Sequence, residues 1–116
     1  MYSLDAAYRP LLALLLLATS EAATADDSAI VAREGRAVLQ KHCARCHAIE
    51  REGPSPFAQA PPFREIYRKF PREELKMRLT EGAVSHYKEM PQIDLTHEEV
   101  AAVMVYLAEI SLEGSR

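Results

Sequence analysis

The sequence is sparing with the features that staple, span or strongly charge a protein. It has two cysteines in 116 residues. Both, Cys43 and Cys46, sit in one short motif, so none is left to form a disulfide between distant segments. No stretch alternates apolar and polar residues in the manner of a half-buried strand. That absence removes the βαβ pattern a thioredoxin-like redox pair requires. The unbroken apolar run, Leu11 to Ala18, falls short of the roughly 20 residues that a bilayer-spanning helix needs. Basic and acidic side chains number 14 and 17, a formal net charge of −3, and that balance leaves no electrostatic footprint for nucleic acid. There is no internal repeat and no low-complexity tract. What remains is one small domain whose own core is marginal.

The informative residues are concentrated at Cys43-Ala44-Arg45-Cys46-His47. Two cysteines separated by two residues and followed at once by a histidine read as a site of covalent haem attachment. Residues three apart share one face of a helical turn, so both thiols can reach the vinyl carbons along one porphyrin edge. His47 is then held beneath the ring, where its imidazole can ligate the iron. Thiol redox chemistry, a rival reading, lacks its fold. Zinc, a second rival, lacks two further ligands, because His42, His86 and His97 form no paired motif. A bound haem would also bring apolar mass and a covalent staple to a domain short of both.

Residues 1–25 read as a secretory signal. Arg9 and the chain amine precede the apolar run, Asp5 weakens that basic region, and Ala23-Thr24-Ala25 has the small-residue pattern of a cleavage site. Residues 26–116 are then the mature domain. Cleavage removes Arg9 together with Asp5 and Glu21 and leaves the charge balance mildly acidic. An uncleaved anchor is the alternative, disfavoured by the length of the run.

Along the mature chain, Asp26-Asp27-Ser28 supplies candidate N-caps for a first helix from Ala29 to about His42. Ile30, Val31, Ala37, Val38 and Leu39 recur there at roughly helical spacing. Gly35 interrupts this helix, either because another helix crosses closely or as a tolerated surface glycine. Ala48 to Pro62, with Gly53-Pro54-Ser55-Pro56 and Ala60-Pro61-Pro62, should wrap as a semi-rigid strap. Phe63, Ile66, Tyr67 and Phe70 suit a short helix, Pro71 opens another to about Glu81, and Gly82 is its C-cap residue. A second loop holds His86, Tyr87, Met90 and Pro91. Thr96 and Glu99 match a capping box for a final helix to about Leu112, striped by Val100, Val103, Met104, Leu107 and Ile110.

Taken together, these residues resemble class I c-type cytochromes, and in particular small bacterial monohaem ones exported across the inner membrane. The likeness covers nearly all of the mature chain and implies an all-α cytochrome c fold. In that fold, N- and C-terminal helices cross near perpendicular, with short helices and loops around a covalent haem c. It puts Gly35 and Tyr106 where the family pairs a glycine of the first helix with an aromatic of the last. Leu39 stands where the family often carries an aromatic. It implies that the carbonyl of Pro61, in Ala60-Pro61-Pro62-Phe63, accepts a bond from the axial histidine. Pro54, in a true Gly-Pro pair, is the other candidate. It implies Met90, followed by Pro91, as the sixth ligand of the iron. Met77, inside a helix, and Met104, suited to core packing, compete, and His86 keeps a bis-histidine iron open.

The function that follows is transfer of single electrons between redox protein partners in the periplasm, with no enzymatic chemistry. A thioether opposite an imidazole raises the reduction potential relative to two nitrogen ligands. The mature chain is expected to be a monomer or a weakly associated subunit, with no integral membrane span. The alternatives are a subunit of a dehydrogenase or oxidase complex, or a five-coordinate gas-binding cytochrome if Met90 is not a ligand. Arg64, Arg68, Lys69, Arg72, Lys76 and Arg78 give the middle segment a basic lean that either steers a partner or is an ordinary solvated face. Arg45 and Arg51 are candidates to offset haem propionate charge.

Overall fold

A glycine in a helix costs about 1 kcal/mol relative to alanine, so Gly35 needs a reason, and the reason organises the fold. In the computed structural model, the backbone is described for residues 5–82 and 89–112, and side-chain surroundings from residue 24 onward. Four helices are present among the described residues, with no strand: α1 (Asp5–His42), α2 (Phe63–Lys69), α3 (Arg72–Thr80) and α4 (His97–Leu112). The protein is all-α. Gly35 is buried in α1, and a Cβ added to it would lie 2.0 Å from the carbonyl oxygen of Ala102 in α4. Only a residue without a side chain permits that approach. What closes on Gly35 is thus the backbone of Ala102 and Val103. Tyr106 lies one turn further along α4.

The chain divides into two compact units, Met1–Ile30 and Val31–Arg116. The second holds the core. Ala32, Gly35 and Leu39 form the buried stripe of α1, while Ala37 is exposed, as is Ile30. Phe63 and Tyr67 of α2 and Leu75 and Leu79 of α3 pack into the same cluster as Val100, Val103, Met104, Leu107 and Ile110 of α4. Leu39, Val103 and Leu107 are fully buried, and each such side chain is worth about 2 kcal/mol of apolar transfer.

α1 begins earlier than its caps suggested. Asp26, Asp27 and Ser28 lie inside the helix, because no glycine or proline interrupts the chain between Pro10 and Gly35 and the alanines at 22, 23 and 25 favour helix. The later elements follow local chemistry more closely. Pro62 and Pro71 stand at the N-caps of α2 and α3, where a missing N–H costs nothing. α3 closes with Glu81 at its C-cap, and Gly82 follows at φ +66°, the left-handed position that favours glycine. At α4 the capping box forms in both directions. Thr96 N–H donates to Glu99 Oε2 at 2.9 Å, and Glu99 N–H donates to Thr96 Oγ1 at 3.1 Å.

Candidate haem site

Cys43 to His47 continue from α1 as a turn, with His47 N–H donating to Cys43 O at 2.9 Å and Cys46 N–H at 3.2 Å. The turn keeps both cysteines and the histidine on one short piece of chain at the edge of the core. Neither cysteine is in a disulfide, and both are half-buried. Burial pushes the Cys43 thiol up to about 11. A thiol held protonated in this way is a poor nucleophile at neutral pH. Among the described residues no group of three or more His, Cys, Asp or Glu could hold a metal ion, which weighs against zinc.

Residues 48–62 carry no helix or strand, and their peptide groups are bound to the histidine turn. Phe57 N–H donates to Cys46 O at 3.1 Å, and Phe63 N–H donates to Ala48 O at 2.9 Å. Ala48 N–H donates to Ser55 Oγ at 2.9 Å. The imidazole is bound as well: its Nδ1 lies 2.7 Å from Pro61 O. A carbonyl only accepts, so Nδ1 carries a proton, and in the neutral ring Nε2 is the nitrogen with the lone pair. The Phe63 ring, 5.2 Å away between centroids and tilted by 60°, packs beside the imidazole. Pro54 is exposed, and it is the Pro61 carbonyl that meets His47.

The structure therefore brings Cys43, Cys46, His47 and Pro61 together. Met90 is half-buried in the stretch that leads to buried Leu95. His86 and Tyr87 lie outside the described residues. Of the competing methionines, Met77 is 51% exposed on α3, and Met104 is buried in the core. The donor set fits a covalent haem: two unpaired thiols three residues apart, then an imidazole whose tautomer leaves Nε2 free to bind a metal.

The family model described as "Cytochrome C oxidase, cbb3-type, subunit III" matches residues 31–107. The chain belongs to this family. It is thus a cytochrome c domain carrying one covalent haem c, with Cys43 and Cys46 in the CxxC spacing, and its role is haem-based electron transfer among redox partners. No curated protein and no solved structure matches the chain significantly. No described helix of the cytochrome is long and apolar enough to cross a membrane.

Much of the basic lean of the cytochrome's middle segment is engaged within the chain. Arg78 pairs with Glu74 at 2.7 Å and Lys76 with Glu73 at 3.0 Å, while Arg72 stacks 3.7 Å from the centre of the Tyr67 ring. Exposed pairs of this kind contribute little to stability, and they spend charge that would otherwise steer a partner. Sequence reasoning missed Ser55, Glu50 and Arg64 as parts of the site. Ser55 stood between two prolines in a segment already read as a strap. Nothing local to Glu50 signals partners drawn from three helices, and nothing local to Arg64 signals the carbonyls of Glu50 and Gly53.

Proposed function

We propose that the chain is a periplasmic carrier of single electrons, with His47 and Met90 as the axial ligands of a low-spin haem iron. The observation that carries this reading is the His47 Nδ1–H bond to Pro61 O at 2.7 Å. It turns the Nε2 lone pair outward and makes the imidazole more electron-rich as a ligand. Cys43 and Cys46 would hold the porphyrin edge through thioether links. The haem, when bound, takes up and gives back one electron. Met90 would hold the iron through its thioether, and a thioether with an imidazole would raise the potential relative to two nitrogen ligands. With both ligands drawn from the chain, no position would be left for a substrate at the iron. Residues 1–25 act as the export signal, and residues 26–116 form the working domain.

The test is to add carbon monoxide to the reduced holoprotein and to titrate it with a one-electron reductant. The proposal expects no spectral shift with carbon monoxide and full reduction by one electron per chain. A shift would mean an open iron position and a gas-binding protein.

The family description supports a second reading, in which the domain serves as a subunit of an oxidase complex. Sizing of the native protein from gently disrupted cells separates the two. Elution as a small monomer supports the free carrier. Co-elution with a large haem-containing assembly supports the subunit.

A further inference from the structure

A group of polar residues beside the site has no task in the reading above. Glu50 stands three residues after His47, and three helices converge on it. From α1, Arg36 donates through Nε to Glu50 Oε1 at 2.9 Å, and through Nη2 to the same oxygen. From α4, the Tyr106 hydroxyl lies 3.0 Å from Glu50 Oε2 and 2.9 Å from Ile49 O. From α2, Arg64 donates to Gly53 O at 2.7 Å and to Glu50 O at 3.3 Å.

We propose that Arg36, Glu50, Arg64 and Tyr106 form a polar clamp that fixes the backbone just beyond His47 and so sets the angle of its imidazole. They are positioning residues, and the proposal rests on His47 being an axial ligand. The geometry carries it in three steps. Tyr106 has one hydroxyl proton for two acceptors, and Arg36 holds the carboxylate where that proton can be shared. Ile49 is buried, so loss of the hydroxyl leaves its carbonyl without this partner and favours a shift of the peptide. Only Ala48 separates that peptide from His47, and Ala48 O is already held by Phe63 N–H. A shift at Ile49 has little slack to dissipate in and passes to the bond between His47 Nδ1 and Pro61 O. Weakening that bond makes the imidazole a poorer electron donor and favours the reduced iron.

The test uses the holoprotein with Tyr106→Phe, which keeps the ring and the net charge and removes only the hydroxyl. Arg64→Ala is the second variant, since it removes the α2 arm and leaves Arg36, Glu50 and Tyr106 in place. Two quantities are read: the reduction potential, and the solvent-exchange rate of the His47 Nδ1 proton by NMR. The clamp predicts a potential shifted positive in both variants and at least tenfold faster proton exchange in Tyr106→Phe. If stability falls while potential and exchange stay at native values, the residues are merely structural and the proposal is overturned. If the native protein shows no iron-shifted His47 ring signals, the axial reading itself has failed, and the clamp with it. That outcome is seen before any variant is made.

Discussion

The stretch carrying His47 and the stretch carrying Met90 are both irregular, yet they are held by different means. Around His47, peptide groups of residues 46, 48, 57 and 63 are bonded to one another or to Ser55, and the imidazole itself is bonded to Pro61. Around Met90, the described anchors are mainly apolar, with Leu95 buried and Ile93 packed against the core, and the bond from Thr96 N–H to Glu99 comes only at the end of the stretch. Close approach adds to this, since a Cβ on Gly82 would lie 2.8 Å from Gln92 Nε2. Hydrogen bonds between peptides set an angle, whereas apolar burial sets only a depth. On that basis, under the proposed ligation, the histidine side would determine how the haem is presented, and the methionine side whether the sixth position is closed.

The most severe way to break the comparison is to remove the attachment points. Cys43→Ala with Cys46→Ala should abolish covalent haem, checked by haem staining after denaturing electrophoresis. Stain retained in that variant would separate His47's surroundings from the cofactor they are said to serve.

Gly35→Ala comes next. Its Cβ would meet Ala102 O at 2.0 Å, so α1 and α4 must part, at a cost of about 3 kcal/mol. Thermal unfolding of the holoprotein measures it, and the far-red spectrum should change little, because the crossing lies outside the Met90 stretch.

A pH prediction sharpens the histidine side. Burial, then the neighbouring Glu50 carboxylate, push the Tyr106 hydroxyl from its ordinary 10.0 up to about 12. An acid raised on folding stabilises the fold fully below its unfolded pKa and loses that contribution as pH climbs through the folded one. The native protein should therefore lose about 1–2 kcal/mol between pH 10 and 12, beyond what Tyr106→Phe loses over the same range. Denaturant melts of both proteins across that range check it. Thr96→Ala is milder still. It removes half of the capping box at the end of the Met90 stretch and should cost about 1 kcal/mol, read from the same melts.

How much of this was legible in the sequence depends on how far apart the partners lie. The haem turn was legible because its chemistry is compressed into five residues, and the capping box of α4 into four. Gly35 was half-legible: the glycine advertised a close approach, but a surface glycine would look the same until Ala102 is seen against it. The start of α1 was not legible, because Asp26 to Ser28 are good caps and equally tolerable helix residues. The clamp on Glu50 was out of reach. Its carboxylate meets Arg36 across 14 residues and Tyr106 across 56, and no local pattern encodes such pairings. Tyr106 read as the aromatic that the resemblance pairs with Gly35, and its hydroxyl went unread.

The central claim is that a single haem iron is held between His47 and Met90. The most direct measurement is the oxidised optical spectrum in the far red, where a sulfur-to-iron band appears, for the native protein and for Met90→Ala. The band is expected in the native protein and lost in the variant, with covalent haem retained in both. Absence of the band from a native protein that holds covalent haem would contradict it and transfer the sixth position to another residue or to none.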